Sequence, residues 1–268
     1  MCASRDGESA RPSYPAAPDE VRWLPVTAEG CDDDRFAGPG VRALHRAAAV
    51  TTVPETVVLT APVPHWRELA RRPDPLAGYA DLVEEPVSVR AWWPRAGQPD
   101  VPIGPVFHNL GPGTVAEGML ELIGRAEDGP RGFPRLAFAV QRFTAAEATV
   151  LAQAAPDGER VRLQAFLGLA EQLAEPLHPD LVVLAGPLLA VHEYRVADKP
   201  TATLAAAGGT RTVATPELRR RAPVLRVAAL QEIATLTVAV ARRLDGPVAT
   251  EFAVAGGKPL LLSCRPRP

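Results

Sequence analysis

The end of the chain, residues 251–268, restricts the possible fold more than any other segment. Two apolar stretches flank the pair Gly256-Gly257. This pattern predicts a β-hairpin, because paired glycines readily adopt the backbone conformations of a tight turn between antiparallel strands. The sequence therefore places two neighbouring strands at the end of the chain.

Three polar side chains on this hairpin are candidates for a shared site. Glu251 stands on the first predicted strand, and Ser263 and Arg265 stand on the second. A three-residue loop, 256–258, would place Glu251 opposite Ser263 with Arg265 on the same face. A two-residue loop would instead place Glu251 opposite Leu262 and separate these groups.

A carboxylate that faces a polar side chain across a hairpin offers oxygen ligands to a divalent metal ion. Glu251 and Ser263 are therefore predicted metal ligands. The alternative is an ion pair between Glu251 and Arg265 in a cleft that holds no metal.

Composition excludes several classes of function. The 268 residues carry a net charge of −2, so we expect no nucleic acid partner and no anionic membrane partner. Cys2, Cys31 and Cys264 are too widely spaced to indicate a disulfide framework or a zinc site, which favours a cytoplasmic location. No apolar run is long enough to span a membrane.

Residues 1–20, rich in Pro, Ser, Ala and charge, are predicted to be a disordered tail.

Apolar periodicity predicts an α+β fold with an antiparallel-rich second half. Helices are predicted over 40–49, from 115 to about 125 with Thr114 as the cap, and over 224–244. Strands are predicted over 53–60, 87–92, 136–143, 161–169, 192–196 and 201–205, besides the final hairpin.

Several segments resemble, in the same order, the N-terminal ATP-grasp (nucleotide-binding) domain of the phosphoenolpyruvate synthase and pyruvate phosphate dikinase family. The hairpin resembles that domain's ending, I-E-W-A-I-D-G-G-K-L-Y-L-L-Q-S-R-P. The other similar segments are Phe36–Leu44 (F-x-G-G-K-x-x-N-L), Val53–Thr60 (V-P-x-G-F-V-L-T), Val87–Arg90 (V-A-V-R), Val140–Thr149 (V-Q-x-M-V-x-A-E-x-S) and Gly168–Glu171 (G-L-G-E).

The resemblance implies a two-lobed ATP-grasp fold with antiparallel-rich sheets, whose lobes comprise residues 21–130 and 131–268. Such a fold would bind ATP and Mg²⁺ and transfer a phosphoryl group. The acceptor would be a small molecule or a histidine of a separate phosphohistidine-domain protein. Arg90 and Arg265 match the arginines that contact phosphate, and Glu251 and Ser263 occupy the metal-ligand positions. The segment Gln141-Arg142-Phe143 matches the hinge whose backbone contacts adenine.

Three positions depart from the family pattern. Gly40 stands where the family has Lys, Ala91-Trp92-Trp93 replaces the small hydroxyl-bearing loop, and Ser263 replaces Gln. These departures leave an alternative open: a catalytically degenerate pseudoenzyme that acts as a ligand-binding, structural or regulatory subunit.

Individual residues also keep alternative interpretations. Arg90 could pair with the acidic Glu84-Glu85 instead of a phosphate. Trp92 and Trp93 could fill the phosphate site, stack on a ligand or contact a partner, although core packing is commoner at a strand end. His108 is the histidine placed closest to the predicted phosphate loop, and a structural role for it is the simpler interpretation.

Overall fold

The computed structural model describes residues 22–62, 65–66, 85–95, 97–128, 133, 135–170 and 178–267. The predicted tail, residues 1–20, lies outside the described residues. Two antiparallel sheets, a two-stranded ribbon and five α-helices make up the described part of the chain.

The first sheet consists of β1 (Arg22–Pro25), β2 (Thr56–Pro62), β3 (Val87–Trp93), β4 (Val101–Leu110) and β5 (Arg135–Arg142). Their spatial order is β1-β2-β5-β3-β4, and every neighbouring pair is antiparallel. The central strand β5 is buried on both faces over almost its whole length, in agreement with its continuous apolar sequence.

The second sheet consists of β6 (Ala148–Ala154), β7 (Arg160–Leu167), β8 (Asp180–Ala185), β9 (Ala190–Arg195), β12 (Val248–Ala255) and β13 (Lys258–Pro266). Its order is β13-β12-β6-β7-β8-β9, again antiparallel throughout. The remaining strands, β10 (Thr201–Ala206) and β11 (Gly209–Ala214), form the separate ribbon.

The helices are α1 (Asp34–Ala37), α2 (Pro39–Ala47), α3 (Val115–Glu127), α4 (Glu217–Arg220) and α5 (Val227–Leu244). The amphipathic helix α3 covers one face of the first sheet, where Met119 and Leu122 are buried in a cluster with Phe138. The longest helix, α5, packs on the second sheet through a cluster that includes Leu230 and Val150. The opposite face of the first sheet therefore remains for α2 and the terminal hairpin.

The predicted fold class, α+β with two lobes and antiparallel-rich sheets, is confirmed. The predicted helices and strands all occur, but the side chain of Thr114 does not cap α3, because its hydroxyl donates to the carbonyl of Gly111. The boundary between residues 130 and 131 is not where the chain changes sheet. Because β5 pairs with both β2 and β3, the chain crosses to the second sheet only between Arg142 and Ala148.

No helix in the described part of the chain combines the length and the apolar character needed to cross a lipid bilayer.

Candidate functional site

The terminal hairpin turns through two residues. Ala255 pairs directly with Lys258, and Gly256 and Gly257 both have positive φ, 55° and 73°. Positive φ at both central positions is the conformation of a type I′ turn, which glycine adopts without strain. Of the two loop lengths that the sequence leaves open, the structure therefore has the shorter one.

Glu251 nevertheless lies opposite Ser263, because β13 carries a β-bulge at Leu262. The pairing passes from Phe252–Leu261 to Glu251–Ser263, so Leu262 is the extra residue. The hydroxyl of Ser263 donates to Oε2 of Glu251 over 2.9 Å. The two predicted metal ligands therefore face each other because of the bulge, and not because of a longer turn.

Gln141 fixes the bulge from the first sheet. Its buried side-chain amide donates to the carbonyl oxygen of Leu262, at 3.2 Å, and to the hydroxyl of Thr56, at 2.9 Å. The Leu262 side chain is buried in a small cluster with Leu169 and Ala253. These contacts hold the two sheets together at the base of a cleft.

Arg90 reaches across this cleft from β3 to the hairpin. Its Nη1 lies 3.5 Å from Oε2 of Glu251, and only 15% of its side chain is exposed. Its Nη2 is buried and has no hydrogen-bond partner among the described residues. Glu85, one of the alternative partners, instead pairs with Arg142, and Glu84 lies outside the described residues. The guanidinium therefore keeps one donor group for another acceptor.

The cleft between the sheets has a volume of about 130 Å³. Arg90, Gln141, Glu251, Ser263 and Arg265 all line it, so five of the seven predicted site residues meet there. Its apolar lining comes from α2, from the first sheet and from the hairpin, and includes Val41, Leu44, Val58, Ala91, Trp92, Pro102, Ile103, Pro105, Val106, Ala139 and Leu262.

Arg142 and Phe143 do not belong to the lining of this cleft. The backbone N–H of Arg142 donates to the carbonyl of Glu55, and that of Phe143 donates to the carbonyl of Pro86. The Arg142 guanidinium also forms ion pairs with the carboxylates of Glu55 and Glu85. Of the predicted adenine hinge, the structure brings only Gln141 to the cleft.

The two tryptophans face opposite sides of β3. Trp92 lines the cleft, and its indole N–H donates to the carbonyl of Ala37 over 2.8 Å. Trp93 lies in the cluster beneath α3 and stacks on Phe133 at a centroid distance of 5.2 Å. Trp93 is thus a core residue, whereas Trp92 occupies part of the cleft wall.

His108 forms a hydrogen bond through Nδ1 with the hydroxyl of Ser88, at 2.8 Å. Burial, reinforced by the positive charge of Arg90 and opposed by Glu251, lowers the pKa of His108 to about 4. The imidazole is therefore neutral at pH 7.

Sequence reasoning missed one cleft residue, Asp100. Its Oδ2 accepts a hydrogen bond from the backbone N–H of Gly40, at 2.9 Å, at the start of α2. The two residues are 60 positions apart, so local sequence patterns carry no sign of the contact. The backbone at the start of α2 is thus in contact with a carboxyl group.

The residues that could bind magnesium are few. Among the described residues, no group of three or more His, Cys, Asp and Glu side chains is arranged to bind a metal ion. Glu251 and Ser263 together offer a carboxylate and a hydroxyl. Such a pair suits an ion that takes its remaining ligands from water and phosphate oxygens, as Mg²⁺ commonly does.

Comparison with protein-family models gives no match, and comparison with curated protein sequences gives none. Among solved structures, similar chains include the ADP complex of purK, N5-carboxyaminoimidazole ribonucleotide synthetase. Its TM-score is 0.43, with 12% identity over 84% of this chain and 43% of that chain. D-alanine–D-alanine ligase from Bacillus anthracis complexed with ATP has a TM-score of 0.39, with 9% identity over 89% of this chain and 55% of the ligase.

D-alanine–D-alanine ligase from Helicobacter pylori has a TM-score of 0.35, with 10% identity over 85% of this chain and 53% of the ligase. The chain spans about half the length of each of these proteins. Similarity at this level assigns no activity, which has to be inferred from the chain's own residues.

Proposed function

We propose that this chain is an ATP-grasp protein that binds ATP with magnesium in the cleft between its sheets. The convergence of Arg90, Glu251 and Ser263 carries the proposal, since Arg90 and Glu251 are 161 positions apart and belong to different sheets. These residues also match the phosphate-binding and metal-binding positions of the family that the sequence resembles.

Each residue has a distinct role in this proposal. Glu251 and Ser263 would hold the magnesium, which neutralises charge on the phosphate oxygens during transfer. Arg90 would donate its unpaired Nη2 to a phosphate oxygen, and Arg265 would add positive charge at the exposed end of the cleft. Gln141 fixes the bulge that sets Ser263 against Glu251.

We infer that the reaction is transfer of a phosphoryl group to a small molecule or to a histidine of a partner protein. Such transfer depends mainly on positioning and on positive charge around the phosphates. Binding without turnover is the second candidate, and two observations favour it. Trp92 forms part of the cleft wall, and Gly40, in place of the family Lys, offers no side-chain cation there.

Calorimetric titration with ATP, in the presence and absence of magnesium, tests the proposal. Glu251→Ala should weaken magnesium-dependent binding by about 10- to 100-fold, the usual effect of losing a contact to a charged group. Glu121→Ala is a matched control, because Glu121 is an exposed carboxylate on α3 that forms an ion pair with Arg125. Equal affinities for both variants would contradict the metal role of Glu251.

Formation of ADP then separates the two candidates. Magnesium-dependent ATP binding with ADP release would support a phosphotransferase, and binding alone would support a ligand-binding subunit. Absence of binding at millimolar ATP would favour a structural or regulatory subunit that uses the cleft to contact a partner.

A further inference from the structure

Asp100 is a carboxyl group in the cleft that the proposed metal and phosphate contacts do not use. It directly precedes β4, and its Oδ2 accepts the N–H of Gly40. The other oxygen, Oδ1, is buried and has no hydrogen-bond partner among the residues that the structure describes. The carboxyl group is thus anchored while one oxygen remains free for another partner.

The start of α2 is shaped around this carboxyl group. A Cβ atom at Gly38 would lie 2.0 Å from Oδ1 of Asp100, and one at Gly40 would lie 2.7 Å from Oδ2. Gly38 also has a φ of +87°, which residues with side chains rarely adopt. Because both positions are glycine, no side chain fills the space that Asp100 occupies. One of them, Gly40, is the position that corresponds to the family Lys.

The surroundings of Asp100 suit proton transfer near neutral pH. Burial raises its pKa to about 7, although the N–H groups of Gly40 and Arg95 and the charge of Arg265 lower it. Asp34, on the neighbouring α1, raises it further. A base whose pKa is close to the working pH is well matched to general base catalysis.

On the basis of the proposed phosphoryl transfer, we propose that Asp100 is a general base and that the acceptor is a hydroxyl compound. The acceptor oxygen forms a bond to the γ-phosphorus while the bond from that phosphorus to the bridging oxygen of ADP breaks. The bonding electrons leave with ADP, and the hydroxyl proton moves to Oδ1 of Asp100. A neutral imidazole attacks through its own lone pair and needs no such base, so the partner histidine becomes the less suitable acceptor.

The substitution Asp100→Asn tests this role, because the amide oxygen can still accept the N–H of Gly40 but cannot take up a proton. We expect Asn to slow ADP formation, with water or glycerol as the acceptor, by roughly 10²- to 10⁴-fold. Transfer to imidazole, followed by phosphorus NMR, should change by less than about 3-fold, since general base catalysis is not needed there. Binding of ATP, measured by calorimetry, should persist.

The pH profile provides a readout that a purely structural role would not change. The wild-type rate with water or glycerol should rise as pH increases through about 7, where Asp100 loses its proton, and the rate of Asp100→Asn should not. Asp34→Asn is the matched control. It removes a neighbouring carboxylate that raises the pKa of Asp100, so it should retain the profile and shift it to lower pH.

Every other outcome counts against the inference. Three results would overturn the role of Asp100 and leave nucleotide binding intact. They are an equal loss of rate with water, glycerol and imidazole, no loss of rate in Asp100→Asn, and ATP binding without any transfer. Absence of ATP binding by the wild-type protein would instead overturn the proposed function itself.

Discussion

Lys199 and Asp180 form a buried ion pair whose hydrogen-bonding groups are well matched. Nζ of Lys199 donates to Oδ1 of Asp180 over 2.6 Å and to the carbonyl of Ala197, and the two side chains are 2% and 0% exposed. Asp180 also accepts the N–H groups of Ala197 and Val224. The pair therefore ties the start of β8 to the segments on either side of the ribbon.

We expect Lys199→Met to lower the free energy of unfolding by about 3–5 kcal/mol, because it leaves the carboxylate of Asp180 buried without its cation. Urea denaturation measures this change. Lys258→Met is the control, since Lys258 is the only other lysine in the sequence and is exposed at the start of β13. Similar losses of unfolding free energy in both variants would contradict the explanation that the loss comes from the buried carboxylate of Asp180.

For individual residues, the sequence predicts contacts between side chains that strand pairing brings together. Glu251 and Ser263 could be paired from their positions around the glycines. Asp100 could not, because its importance comes from a contact with the distant backbone of Gly40. A single Asp after Pro99 is typical of a turn, and nothing nearby in the sequence indicates burial.

The ribbon of β10 and β11 connects to both sheets. The N–H of Leu169, which follows β7, donates to the carbonyl of Thr203 in the ribbon. On the other side, Asn109 of β4 donates through Nδ2 to the carbonyls of Ala206 and Gly209, which flank the ribbon's turn. Asn109 is the only asparagine in the sequence and has a φ of 58°. The ribbon thus links the two lobes, with the Asn109 side chain providing hydrogen bonds on the side of the first sheet.

Asn109→Asp should loosen this link, because the carboxylate cannot donate to either carbonyl. Opening can be followed by thiol labelling in a Cys2→Ser background, since Cys264 lines the cleft and burial raises its pKa to about 12. The labelling rate of Cys264 should rise by roughly 10-fold or more.

Two controls show whether the labelling of Cys264 reports opening of the cleft. Cys31, buried outside the cleft lining, should keep its rate and acts as an internal reference. Asn109→Gly removes the same hydrogen bonds and tolerates a positive φ, so it should label faster than wild type and more slowly than Asn109→Asp. Unchanged labelling of Cys264 in both variants would show that the ribbon does not restrict the cleft.

Simple periodicity predicts only some of the regular strands, and β1, β6, β8 and β11 are not among those predicted. Strands β5 and β7 follow from their apolar patterns. Strand β4 was not predicted, since it contains Pro102, Gly104 and Pro105 and its pairing with β3 is irregular. An edge strand tolerates these residues because one side of it needs no ladder hydrogen bonds.

The two lobes enclose a cleft that is small for a nucleotide. Its volume of about 130 Å³ is below the roughly 300–1,000 Å³ of typical ligand sites. If ATP binds there, as we propose, the sheets have to separate first. The sequence could not predict how closely the two sheets approach each other. Contacts such as that between Arg90 and Glu251 form only after both lobes have folded.

We therefore expect the observed rate of ATP association to reach a plateau as ATP concentration increases, because lobe opening limits it on a microsecond to millisecond timescale. Stopped-flow tryptophan fluorescence measures this rate. Trp92 should be the reporter, so Trp92→Phe should lose most of the signal while Trp93→Phe, on the opposite face, should keep it. A rate that stays proportional to ATP concentration would argue for a cleft that is already open.

The bulge at Leu262 has a consequence for how this hairpin could change in evolution. A three-residue turn with regular strands and a two-residue turn with one bulged residue both place Glu251 opposite Ser263. An insertion in the turn can therefore be compensated by a deletion at the bulge, with no displacement of either side chain. Aligned relatives could carry their gap at either position, and equivalent residues would be identified correctly only from strand pairing.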